Sequence, residues 1–288
     1  MQSRKLSLIH LIILLCLSVF SFSTLSIASQ KDGLLKIYFL DVGQGDAIFI
    51  ETPNGNQVLI DGGPDDKVVQ ELAKVMPFYD REIDIIVATH PHSDHIAGLI
   101  SVLERYDVKN ILQAREDYNS PVVPVWLEAV RNEEANEMEA VSGRVIDLGN
   151  ETTLTIIHPF VSVAGTLLKN PHDAVVVSIL KYGSFEVILT GDMEAKVERR
   201  LILSGYDLKS DILKIGHHGS KTSTTSEFLS AVFPELAFIQ VGTKNRYGHP
   251  STEVLSRLEN FGIKYYRTDL DGTIKVVSDG ENYQVFKY

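Results

Sequence analysis

The chain has 288 residues, 27 Lys+Arg against 38 Asp+Glu for a formal charge of −11, 44% hydrophobic residues and a single cysteine. That length suits one large domain or two small ones, and the composition excludes a disordered tail, a collagen repeat and a coiled-coil rod. One Cys excludes an internal disulfide framework and a cysteine-based zinc finger, and the acidity argues against non-specific coating of nucleic acid while leaving a local basic groove open.

Residues 1–28 differ from the rest. Arg4 and Lys5 precede an apolar stretch from Leu6 to Phe20, and Ser26-Ile27-Ala28 supplies small residues at the spacing of a signal-peptidase site. The pattern is that of an export signal, so a secreted or extracytoplasmic protein is expected, cleaved after Ala28. The competing reading is a membrane anchor over residues 6–28, which approaches the roughly 20 residues needed to span a bilayer. Lipid attachment at Cys16 is disfavoured, because Leu14 and Leu15 precede it where small residues are wanted.

Residues 29–288 read as one domain, with no linker or low-complexity tract from Leu35 onward. Strands are expected at Lys36–Leu40, Ala47–Glu51 and Val58–Ile60, with Pro53-Asn54-Gly55 turning between the last two. A helix follows at Asp66–Met76, a buried strand at Ile85–Ala88, a helix at Ile96–Arg105, a strand at Asn110–Gln113 and a helix around Val125–Asn136. The second half reads as strands Arg144–Leu148, Leu154–Ile157, Ala174–Tyr182 and Phe185–Thr190, then helix Glu194–Ser204, strand Ile212–Ile215, helix Glu227–Ala231 and strand Leu236–Val241. Helix Thr252–Phe261 and strands near Lys264–Thr268 and Thr273–Val277 complete it. Two mixed sheets facing each other, with helices outside, would bury such strands on both faces.

The chemistry concentrates at strand ends. His90-Pro91-His92-Ser93-Asp94-His95 places three of the chain's nine histidines and an Asp in six positions. Residues two apart in an extended turn point the same way, so His90 and His92 can share one metal while Asp94 and His95 face a second. Such ligands suit zinc, with manganese or iron as alternatives. Asp192, in Leu189-Thr190-Gly191-Asp192, reads as a bridging ligand or as a helix N-cap. In Ile215-Gly216-His217-His218-Gly219-Ser220-Lys221, one histidine is expected to bind metal and the other to contact substrate or support a ligand. His217, nearer the strand end, is preferred as the ligand, leaving His218 with the substrate. The amides of Gly219 and Ser220, with Lys221, could hold a phosphate. His172 reads as completing the first metal's shell or as part of a surface turn. His249 reads as a proton donor to a leaving oxygen or a substrate contact, His158 as structural and Asp61 as orienting the ligand loop. The glycines of Asp41-Val42-Gly43-Gln44-Gly45-Asp46 are not a dinucleotide fingerprint, since a strand follows them.

His90-x-His92-x-Asp94-His95, Asp61, Asp192 and a late histidine resemble the metallo-β-lactamase fold superfamily. Asp41–Asp46, His217-His218-Gly219-Ser220 and Tyr247-Gly248-His249-Pro250 resemble, more narrowly, the hydrolase domain of ComEC-type DNA-uptake proteins and related stand-alone secreted hydrolases, phosphorylcholine esterases of Gram-positive bacteria among them. The resemblance spans about Leu35 to Val277. It implies an α/β fold, the four-layer αβ/βα sandwich of two mixed sheets, with a two-metal site at one sheet edge. It further implies that His90 and His92 bind the first metal, Asp94 and His95 the second, that Asp192 bridges, and that His217 or His218 completes the second site. His172 stands near the family's remaining ligand. The chain lacks the multi-spanning channel and OB-fold of a full uptake protein, so DNA transport is not expected of it alone.

The expected function is an exported hydrolase of phosphodiester bonds using two zinc ions, with Asp94 holding the attacking water in line and His249 assisting the leaving group. The expected partner is a phosphoester substrate, either DNA or a cell-wall polymer, met at the outward-facing membrane surface or the wall. A different class of reading is a non-catalytic, metal-stabilised accessory module in DNA uptake or wall assembly.

Overall fold

The computed structural model describes residues 33–288. The expected signal or anchor over residues 1–28 lies outside them. Among the described residues no helix is long and apolar enough to cross a membrane.

The first sheet begins with antiparallel strands β1 (Leu35–Phe39), β2 (Ile48–Glu51) and β3 (Gln57–Ile60). Helix α1 (Lys67–Val75) then crosses to β4 (Glu82–Ala88), α2 (Ser93–Leu103) to β5 (Asp107–Gln113), and α3 (Val122–Glu133) to β6 (Asn136–Glu139). Those crossovers make β3 to β6 parallel, as helical connections require. The second sheet repeats the scheme. Antiparallel β7 (Val145–Gly149), β8 (Thr152–His158), β9 (Val177–Tyr182) and β10 (Phe185–Leu189) come first. Helix α4 (Ala195–Leu203), β11 (Ile212–Lys214), α5 (Ser226–Val232), β12 (Leu236–Ile239), α6 (Thr252–Asn260) and β13 (Lys264–Arg267) follow, with the strands parallel from β10 on. A short helix α7 (Thr268–Asp271) leads to the hairpin β14 (Ile274–Ser278) and β15 (Tyr283–Lys287), which returns to the first sheet and pairs with β1. The strand orders are β15-β14-β1-β2-β3-β4-β5-β6 and β13-β12-β11-β10-β9-β8-β7.

Alternation along the strands produces the layers. Ile37 and Phe39 of β1 face inward, where Phe39 stacks on Phe238 of β12 with ring centroids 4.1 Å apart. Tyr38 and Leu40 face outward with Val68, Leu72, Leu99 and Trp126 of the first three helices. On the other side Ile188, Leu213 and Ala237 meet Val197, Leu201, Phe228 and Val254 of α4 to α6. This is the expected αβ/βα sandwich, and Leu34–Tyr288 form one unit. Two strands were not anticipated. β6 begins at Asn136, the last residue of the expected third helix, and runs on through residues given no element, and β15 is half polar because one of its sides faces solvent.

Candidate metal centre

In a sheet of parallel strands with covered faces, the crevice lies beyond the carboxyl ends of the strands. Asp61 follows β3, His90 to His95 follow β4, Asp192 follows β10, His217 and His218 follow β11, and His249 follows β12. All approach one place. Asp192 Oδ2 lies 3.3 Å from His95 Nε2, 3.4 Å from His218 Nε2, and 3.8 Å from the Nε2 atoms of His90, His172 and His217. Asp192 is not a helix cap, since Glu194 takes that position on α4.

Of the five groups of side chains able to hold a metal among the described residues, two gather most of the expected ligands. His90, His92, His172 and Asp192 have ligand atoms within 4.8 Å of one another, as do Asp94, His95 and His218. His95 Nε2, His218 Nε2 and Asp192 Oδ1 are buried and have no hydrogen-bond partner. Buried polar atoms are rarely left so, and a divalent cation among them would satisfy all three. The residues present therefore fit a metal.

The outer nitrogens are held so that the inner ones carry lone pairs inward. His95 Nδ1 is 2.7 Å from Asp61 Oδ2, and Asp61 also accepts hydrogen bonds from the Thr89 amide at 2.8 Å and the Thr89 hydroxyl at 2.6 Å. Asp61 adopts φ 58°, a turn that aims its carboxylate back under the ligand loop. His218 Nδ1 meets the Gln240 carbonyl at 3.0 Å and Asp46 Oδ1 at 3.3 Å. The charges agree with this geometry. Burial opposes ionisation of Asp192, yet His218 and His95 hold its carboxyl well below the usual range. Burial likewise opposes protonation of His95 and His218, but Asp192, with Asp61 and Asp46, raises both well above an ordinary imidazole. The cluster therefore demands positive charge, and a bound cation would meet that demand while releasing protons. Burial lowers His92 and His217 to about 4.

Both paired histidines reach the centre: His217, the preferred ligand, forms a group able to hold a metal with His172 and Glu194, and His218 forms another with Asp94 and His95. His218 is buried beside Asp94, its Nε2 3.4 Å from Asp94 Oδ2, whereas the more exposed His217 faces Glu194 and the ring of His172. Left-handed backbone at both residues, φ 47° and 53°, brings the two consecutive side chains to Asp192. In the Gly219–Lys221 turn, expected to hold a phosphate, the Ser220 donors are already engaged. The Ser220 amide is bonded to the His217 carbonyl at 2.8 Å, its hydroxyl to Thr222, and Lys221 points to solvent. His172 is brought into the first set, its Nε2 3.3 Å from His92 Nδ1. His249 lines the open side, in a pocket of about 310 Å³ that also includes Gln44, Tyr118 and Tyr247. His158 lies apart, buried against the Val175 carbonyl at 2.7 Å. Sequence reasoning missed Glu194, Asp46 and Lys214. The last had a signal, a lysine inside the apolar run Ile212–Ile215.

Residues 40–242 match the metallo-β-lactamase superfamily. The chain belongs to that superfamily. Among curated relatives it is 30% identical to ComE operon protein 3 of Bacillus subtilis, over 83% of this chain and 32% of that protein. It is 31% identical to Recombination protein 2 of Haemophilus influenzae, over 92% of this chain and 31% of that protein. It thus spans about a third of the length of the relatives it matches. Among solved structures it resembles Igni18, a metallo hydrolase from Ignicoccus hospitalis, with a TM-score of 0.52 at 14% identity, covering 88% of this chain and 99% of that one. Superfamily membership brings divalent metal binding, in keeping with the His/Asp cluster.

Proposed function

We propose that this metallo-β-lactamase-fold protein is an exported hydrolase of phosphodiester bonds that works with two zinc ions. The observation that carries the reading is the convergence of five imidazole nitrogens within 3.8 Å of one buried carboxylate oxygen, Asp192 Oδ2. His90, His92 and His172 would hold one ion, Asp94, His95 and His218 the other, with Asp192 between them. Ions held there would supply an activated water and neutralise charge on a phosphoryl group.

The chain's own residues do the rest. Asp94 stays more exposed than Asp192 and lines the pocket. Despite burial, the His218 hydrogen bond and the charge of His95 keep it ionised, so it can accept a hydrogen bond from incoming water and fix its direction. His249 has a buried Nδ1 without a partner. Burial and the His218 charge lower its pKa, so at neutral pH it is an uncharged imidazole that can hydrogen-bond a leaving oxygen but carries no imidazolium proton to give it, against the proton-donor role expected from the sequence. Tyr118 packs edge-on to His92 at 5.4 Å, and Tyr247 stacks over His249 at 5.7 Å. Together they narrow the opening on either side.

Relatedness to Recombination protein 2 favours nucleic acid as the substrate. The export pattern of residues 1–28 favours action outside the cytoplasm, where a cell-wall phosphoester is the other substrate of this class. The test is metal content together with hydrolysis of bis(p-nitrophenyl) phosphate, with and without chelator. Two ions per chain and chelator-sensitive turnover are expected, with Asp192→Ala abolishing turnover in a folded protein. A folded, active Asp192→Ala variant would overturn the assignment, and one ion without turnover would identify the accessory module instead.

A further inference from the structure

Lys214 is fully buried on β11. By strand alternation it shares the face of Ile212, which meets the first sheet. Its ammonium pairs with Asp46 Oδ2 and donates to the Gly191 carbonyl at 2.9 Å. Its own carbonyl accepts the Thr190 hydroxyl at 2.7 Å. Asp46 belongs to the β1–β2 loop of the opposite sheet and Gly191 immediately precedes Asp192. One ammonium therefore joins the support of His218 to the turn that carries the central carboxylate.

Stability alone does not explain the pair. A buried ion pair gives little net stability over apolar residues of similar volume, because both charges lose their hydration. Asp46 could itself join a metal-holding set, with Asp192 and His218 or with Asp61 and His95. The ammonium occupies its Oδ2 and leaves Oδ1 as a charged neighbour 3.3 Å from His218 Nδ1, whose hydrogen bond is to the Gln240 carbonyl at 3.0 Å.

We propose that Lys214 is a positioning residue for the metal centre, a fixed internal cation that keeps Asp46 as the charged neighbour of His218 and holds the Gly191–Asp192 turn in register. The inference rests on reading the centre as a two-metal site. Asp46 faces His218 and His95 but not His90, His92 or His172, so its loss weakens one ion selectively.

The test is Zn²⁺ titration of the full chain against a fluorescent zinc chelator, which resolves two dissociation constants, alongside melting of the metal-stripped protein. Asp46→Asn, close to isosteric, is expected to weaken one ion by about tenfold or more and leave the other unchanged. Lys214→Met should weaken that ion and, through the Gly191–Asp192 turn, the other as well, and should also lower the melting temperature, because it strands Asp46 as a buried charge. The double variant Asp46→Asn/Lys214→Met removes both charges. It should regain the wild-type melting temperature while its zinc affinity stays low. Recovery of both would overturn the proposal and leave a purely structural pair. Wild-type affinity in either single variant would overturn it too. If the wild-type chain holds fewer than two ions, the two-metal reading fails and this inference with it; two ions in the wild type with unaffected variants sinks this inference alone.

Discussion

Asp61 illustrates how much one side chain can organise without touching the reacting groups. Its two oxygens hold the Thr89 amide, the Thr89 hydroxyl and His95 Nδ1. In Asp61→Asn an amide NH₂ must replace one of them, and the backbone at φ 58° tolerates asparagine. Presented to His95, that NH₂ drives the imidazole proton onto Nε2, where it blocks the inward lone pair. We expect unchanged circular dichroism and a loss of about 10–100-fold in metal affinity, read by competition with a chelator. His158 makes a different prediction. Burial is the main cause of its pKa falling to about 4, with the Arg200 charge adding to it and the Val175 carbonyl and Asp173 opposing. It is neutral in the fold and takes a proton on unfolding below pH 6.5. Its contribution is therefore complete above about pH 6.5 and is lost as pH falls towards 4, by about 3 kcal/mol in all. His158→Gln should flatten the acid side of a urea-stability profile by that amount, and an unchanged slope would refute it. At this scale the sequence was most legible where residues lie together. His90 to His95 announce themselves within six positions. That both His217 and His218 reach the centre was not legible, because left-handed backbone at both residues brings them there and neither is a glycine.

Helix α2 carries Asp94 and His95, and its placement depends on a close approach at Gly98. That residue's amide donates to the Gly63 carbonyl at 3.0 Å, and a Cβ there would lie 1.9 Å from the Gly62 carbonyl oxygen. In a free helix, Gly→Ala would stabilise by about 1 kcal/mol. Here the sign reverses. Gly98→Ala should destabilise by about 1–3 kcal/mol, as overpacking does, and push α2 away from the loop bearing Asp61. Denaturant melting measures the first effect and weakened zinc binding the second. Most elements were legible because a buried strand flanked by amphipathic helices has a strong apolar period. β6 was not, since Asn136-Glu137-Met138-Glu139 is a polar strand at the sheet edge with only its Met packed inward. Strand order was out of reach as well, because hydrogen-bond neighbours far apart in the chain leave no local signal.

At the scale of the whole molecule, each donor set draws on both sheets. His90 and His92 come from the first and His172 and Asp192 from the second; Asp94 and His95 are likewise matched by His218. Metal binding therefore ties the halves together, and what binds only the folded state raises its stability. Zinc at about 100 times its dissociation constant adds about 2.7 kcal/mol per site, which raises the melting temperature by roughly 5–10 °C. Calorimetry with and without chelator would show it, and identical melting curves would contradict a centre shared between the sheets. The return of the last hairpin to the first sheet has a consequence in time. β1 has β2 on one side and β14 on the other, with Leu35 opposite Ser278. At synthesis rates of about 5–20 residues per second, β1 waits on the order of ten seconds or more for that partner. It is an open edge in the newborn chain and an interior strand in the finished one, and in that interval the protein is most exposed to pairing with another copy of itself.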